Sequence, residues 1–202
     1  MSKNTVAGLA SFRKIAMAAC VAVAGFAAGS ASADGEFLQF DLADGAKDGV
    51  VSITRGRVSV GATYSQYDGG SAANLALTWA IPLGQAGTVR IGPSFGQAFG
   101  DSGDDDPRFG GKVVFERWSP APFGHLFLLG EYNTIDNNYF GLVQTGFGQS
   151  GFAAEVTVGG SDKYEAVTAG LTKRLGDSPV YLRAGYKFIA ETGFVGLAIN
   201  TF

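Results

Sequence analysis

Thiol and imidazole chemistry is nearly missing from this chain. Among 202 residues there is one cysteine, Cys20, and one histidine, His125. Cys20 lies in a segment expected to be removed, so the rest of the chain has no thiol. That excludes disulfides, thiolate metal sites and cysteine nucleophiles. Long apolar runs are missing as well. After Ala33 none approaches the roughly 20 residues that a spanning helix needs. Basic charge is scarce too. Lys3, Arg13 and Lys14 account for 3 of the 15 basic residues, whereas all 18 acidic residues follow position 33. Residues 34–202 therefore carry 12 bases against 18 acids, a net charge of −6. Nucleic acid, which requires a basic face, is excluded as a partner. Helix signals are sparse. Gly (31 residues) and Phe (16) are abundant, and with Thr, Val and Tyr they recur at short intervals, which favours an all-β fold.

What is present begins with a targeting segment. Lys3, Arg13 and Lys14 form a basic region, residues 15–28 an apolar one, and Ala31-Ser32-Ala33 a small-residue cleavage site. The expectation is a signal peptide over residues 1–33 and one domain over residues 34–202, with 169 residues.

The stretch 179–202 organises that domain. Val180, Leu182, Ala184, Tyr186 and Phe188 alternate with Tyr181, Arg183, Gly185, Lys187 and Ile189. Val195, Leu197 and Ile199 then alternate with Gly196, Ala198 and Asn200. Period two is the strand period. A closing strand needs a neighbour, and pairing it with the first strand leaves no exposed edge. The same alternation recurs along the chain. Ten strands are expected from Arg57 onward, and twelve if residues 35–42 and 50–54 also pair. Pro93 sits inside one of these strands, against the usual rule. The turns fall into two alternating sets. GDS, GQSG, SPAPFG and GQAG are tight, whereas ETG, GGSDK, NTIDNN, GDSGDDDPRFG and YDGG are more polar and read as longer loops.

On these features the chain resembles the small outer-membrane β-barrel proteins of Gram-negative bacteria, a porin-like group. The features are the signal peptide, the alternating segments, the terminal Phe202 and the aromatics near strand ends (Tyr64, Trp79, Trp118, Tyr132, Tyr139, Tyr186, Phe188). The resemblance implies a single antiparallel transmembrane β-barrel of 10–12 strands, located in the cell outer membrane. It implies contact with membrane lipid and lipopolysaccharide, and recognition by the barrel-assembly machinery through the last strand. One departure stands out. Positions alternating back from Phe202 are Asn200, Ala198 and Gly196, while the apolar Ile199, Leu197 and Val195 are out of phase, so a bulge near Thr201 is needed to restore the pattern.

If apolar residues face lipid, the opposite face points inward. That face carries Arg57, Arg90, Lys112, Glu116, Glu131, Glu155, Arg183 and Lys187. One reading makes these a pore lining whose excess of bases favours anions. The other makes them a salt-bridge network that plugs the interior. Ten strands favour the plug, because small barrels are filled by side chains, and twelve favour a thin channel. Asp101, Asp104, Asp105 and Asp106 crowd one loop and form a possible cation-binding group, although without EF-hand spacing. His125 has no Gly-x-Ser-x-Gly serine to serve, and no catalytic set, metal centre or cofactor is expected. The function expected is a non-enzymatic barrel, either a narrow porin-like channel for small solutes or a structural barrel. The alternative is a secreted or surface-attached soluble β protein for adhesion or matrix building.

Overall fold

A computed structural model describes residues 34–100 and 106–202. The expected signal peptide, residues 1–33, and Asp101, Asp104 and Asp105 lie outside the described residues. The strands are β1 (Gly35–Ala43), β2 (Ala46–Arg55), β3 (Val58–Tyr67), β4 (Gly70–Pro82), β5 (Thr88–Gly100) and β6 (Arg108–Ala121). The second half contributes β7 (Gly124–Asn133), β8 (Asn138–Phe147), β9 (Phe152–Ser161), β10 (Tyr164–Arg174), β11 (Val180–Lys187) and β12 (Thr192–Asn200). Each strand pairs antiparallel with the next, and β12 pairs back onto β1, giving a closed barrel of twelve strands. The first hairpin does pair, over nine residue pairs from Gly35↔Thr54 to Ala43↔Ala46. Strand β2 is longer than the expected 50–54, because pairing continues almost to the Asp44-Gly45 turn.

Closure follows from the last strand. β12 lies against β1 without a break from Phe37↔Asn200 to Ala43↔Phe194. Thr201 extends the contact, its N–H donating to the Glu36 carbonyl at 3.0 Å. The Glu36 N–H donates to Thr201 Oγ1 at 2.8 Å. No two-against-one step occurs in these pairs, so no bulge among them restores the phase and the apolar positions stay out of phase with Phe202.

The two faces of the wall differ as the period-two pattern requires. Leu38, Phe40, Val51, Val60, Leu77, Val156, Leu171, Leu182 and Leu197 point outward and are exposed. Most charged residues on this outer face sit near strand ends. Lys173 is in the last pair of the β9–β10 ladder, over the Phe152 ring. Glu165 lies one pair from the opposite hairpin. Arg117 is the exception: it lies just past the end of β5, whose Thr88 faces Glu116, but opposite Leu128, midway along β7. Apart from Arg117, the middle of the outer face, among the described residues, is uncharged.

The alternation of turns holds, but the expected difference in length does not. At the rim carrying both ends of the barrel, connections run from two residues (56–57, 122–123) to five (83–87, 175–179). At the far rim they run from two (44–45, 68–69, 162–163) to four (134–137, 188–191), except for 101–107. Loops rich in Asn and Asp are compact here because pairing reaches nearly to the turn. Tyrosine distinguishes the rims better. Tyr64, Tyr67, Tyr132, Tyr139, Tyr164 and Tyr186 all lie toward the far rim, a position that suits an amphipathic ring.

Pro93 is accommodated by a gap. The β4–β5 ladder skips Leu77–Pro93 and Thr78–Gly92, then resumes at Trp79↔Ile91. At this gap the β4 backbone leans onto Gly92, where a Cβ would overlap the Leu77 carbonyl oxygen. Only glycine permits that approach. Gly92→Ala is therefore expected to cost about 1–3 kcal/mol, the range for overpacking, read as a lower urea midpoint of the detergent-folded protein.

Candidate functional site: the inner face

Strand alternation carries polar side chains inward, and small neighbours leave them room. Seven of the eight residues expected there, all but Arg57, lie on inward positions of their strands. They are brought together in pairs. Arg90 Nε donates to Glu116 Oε1 at 2.8 Å between β5 and β6. Arg90 Nη1 also donates to Ser59 Oγ at 2.7 Å, and Ser59 shares a hydrogen bond with Thr54. Lys112 Nζ lies 2.7 Å from Glu131 Oε2 between β6 and β7.

The deepest cluster centres on Arg183 of β11. Its Nε donates to Asp41 Oδ1 of β1 at 3.0 Å, and its Nη2 lies 2.8 Å from Glu155 Oε1 of β9. One guanidinium thus ties three strands, reaching over β12 on one side and β10 on the other. Gln39 donates to Asp41 Oδ2 at 2.7 Å and Gln144 to Glu155 Oε2 at 3.0 Å. All three charged residues are buried. The bridge over β12 requires Gly196, where a Cβ would overlap Asp41 Oδ1. Lys187 Nζ donates to Asp48 Oδ2 at 2.6 Å, joining β11 to β2.

Arg57 does not belong to this set. The β2–β3 ladder ends at Arg55↔Val58, so Gly56, at φ 59°, and Arg57 form the turn itself. Arg57 is exposed there, and its carbonyl accepts the Ala80 N–H at 2.7 Å. Conversely, Asp41 and Asp48 face inward and were missed. Asp41 shares its face with Gln39 and opposes Leu38, Phe40 and Leu42, a legible alternation. Asp48 falls between the two expected strands, 35–42 and 50–54. Arg108 and Arg174 also face inward, at the two rims, and pair with Asp136 and Asp177 of the adjoining turns. Between the rims the inner face carries Arg90, Lys112, Arg183 and Lys187 against Asp41, Asp48, Glu116, Glu131 and Glu155. The expected excess of positive charge is gone. The bases stand on β5–β6 and on β11, which lie on opposite sides of the ring, and each has a carboxylate beside it.

His125 also faces inward, near the rim with the termini. Its ring lies over Gly146 and stacks with Trp118 at 5.9 Å. Of the acidic loop, only Asp106 is described, and it is exposed. Among the described residues no group of three or more His, Cys, Asp or Glu side chains is placed to hold a metal ion.

No protein-family model matches the chain. No curated protein matches it. Two solved structures do. One is described as "KdgM porin", at 11% identity and a TM-score of 0.52, over 82% of this chain and 98% of that one. The other is "KdgM porin in complex with disordered oligogalacturonate", at 10% identity and a TM-score of 0.51, over the same shares. At this identity the likeness is one of fold: the chain has the closed antiparallel barrel of a porin.

Proposed function

We propose that this chain is a narrow porin-like channel of the bacterial outer membrane that passes small polar solutes. One observation carries the proposal: a closed twelve-strand barrel whose outer face is apolar at mid-depth and, Arg117 apart, charged only near its rims. Such a surface suits lipid, and closure satisfies the backbone there. Twelve strands also leave more interior than side chains readily fill. The oligogalacturonate named with the similar porin is an acidic oligosaccharide. The inner face here supports a different solute class. Each of the four bases between the rims already has a carboxylate within 3.0 Å, so a net attraction for polyanions is weak.

The test begins with the detergent-solubilised outer-membrane fraction run on a denaturing gel with and without boiling. A mobility shift in that fraction supports the membrane barrel. An unshifted protein in the soluble fraction overturns it and favours the secreted β protein. Single-channel recording then tests the pore. The parent is expected to conduct with weak ion preference. Glu116→Gln combined with Glu131→Gln removes two carboxylates beside Arg90 and Lys112, and is expected to raise the chloride-to-potassium permeability ratio by about twofold or more. An unchanged reversal potential would mean that these pairs lie off the ion path.

A further inference from the structure

Among the described connections at the far rim, 134–137 between β7 and β8 stands apart. Asp44, Asp68, Asp162 and Ile189 at the tips of other connections there are exposed, but Ile135 is buried. Its side chain enters the barrel. A Cβ on Gly110 of β6 would stand 2.8 Å from Ile135 Cγ1, and one on Gly96 of β5 would stand 3.3 Å from Ile135 Cδ1. Both glycines occupy inward positions. Together they form a socket in the inner wall, and the apolar residue of an otherwise polar loop is seated in it.

The backbone is tied down on both sides. The Thr134 N–H donates to the Gly111 carbonyl at 2.9 Å, and the Gly111 N–H donates to Thr134 Oγ1 at 2.9 Å. The Ile135 N–H donates to Asn133 Oδ1 at 3.0 Å, and that oxygen also accepts from Ser94 Oγ. Toward β9–β10, the Asp162 N–H donates to the Asp136 carbonyl at 2.9 Å, and Asn137 Nδ2 donates to Asp162 Oδ2 at 2.9 Å. Asp136 also pairs with Arg108 and Lys163. Asp136 and Asn137 hold φ values of 54° and 47°. Non-glycine residues adopt that region only when their surroundings hold them there. The connection is thus a rigid strap from β5–β6 to the β9–β10 hairpin, turned into the mouth.

We infer that this strap is the size-limiting element of the channel, with Ile135 as its inward wedge. The inference rests on the channel reading and adds the residues that set its width. Such a wedge narrows the entrance for any solute regardless of charge, because its tip is aliphatic.

The test is a planar-bilayer comparison of the full chain with two variants, each first shown by heat-modifiability to be folded. In one, residues 134–137 are replaced by Asn-Gly, a turn suited to a two-residue hairpin. In the other, Ile135→Cys is made together with Cys20→Ala and exposed to a methanethiosulfonate reagent. The loop replacement is expected to raise conductance about twofold, and to admit larger uncharged sugars in a liposome-swelling assay. Thiol modification is expected to lower conductance by a similar factor. Unchanged conductance and sugar cut-off in both folded variants would overturn the strap while leaving the channel intact. A silent parent with a conducting loop variant would support the strap and overturn the open-channel reading. If parent and variants are all folded and silent, both fall.

Discussion

Arg183→Leu is expected to be among the most damaging single substitutions in the barrel. It would leave Asp41 on β1 and Glu155 on β9 buried with no cation between them. Removing one partner of a buried ion pair typically costs about 3–5 kcal/mol, because the remaining charge is left uncompensated. The loss here is expected at the upper end, since one guanidinium serves two carboxylates. The reading is a lower urea midpoint in detergent and conversion of the compact gel band at lower temperature. Arg183→Lys is expected to rescue only partly, because an ammonium cannot present the planar fork that reaches both acids. The triple variant Arg183→Leu, Asp41→Asn, Glu155→Gln separates two causes. If charge is the problem, it recovers most of the stability. If the single substitution proves as stable as the parent, the cluster is hydrated and does not brace the wall.

The second large effect concerns the outer face. Leu197 lies midway along β12, between Phe40 and Leu182, and points outward. Leu197→Arg is expected to destabilise the barrel in lipid by about 2–4 kcal/mol, the cost of a basic residue at the bilayer midplane. Glu165→Arg at the rim is expected to change stability by only about 0–1 kcal/mol. Folding equilibria in phospholipid vesicles measure both. The contrast between the two positions carries the meaning. Equal, small effects would describe a surface that meets water at both depths, and the membrane reading would be wrong.

The gap in the β4–β5 ladder shows how a local rule and a global fold are reconciled. Proline inside a strand argues against pairing, because it lacks an N–H. The barrel keeps Pro93 by skipping two pairs and letting Gly92 accept the neighbouring backbone. The objection was legible in sequence. Its resolution required knowing which backbone lies opposite.

Period-two alternation was enough to determine the all-β barrel, the pairing of its ends and the inward face of Arg90, Glu116, Lys112, Glu131, Glu155, Arg183 and Lys187. It sufficed because each strand has one apolar and one polar face, and a one-residue error would reverse them. Near a turn the signal fades, and that is where the sequence reading went astray. Arg57 continues an alternating run but lies one step outside the last ladder pair. Asp48 looks like part of a turn, yet it is held in β2 by pairing with Asp41.

Tertiary structure alone decided the partners. Arg183 and Asp41 are 142 residues apart in the chain and meet only because β12 closes on β1. That closure sets Asp41 beside Arg183 and Asp48 beside Lys187, and so removes the apparent excess of positive charge. The inward strap at residues 134–137 was hidden as well. Ile135 reads as one apolar residue in a polar loop until the pairing of β5, β6 and β7 brings Gly96 and Gly110 beneath it. Alternation reports which way a side chain points. It carries no information on what the ring of strands places opposite.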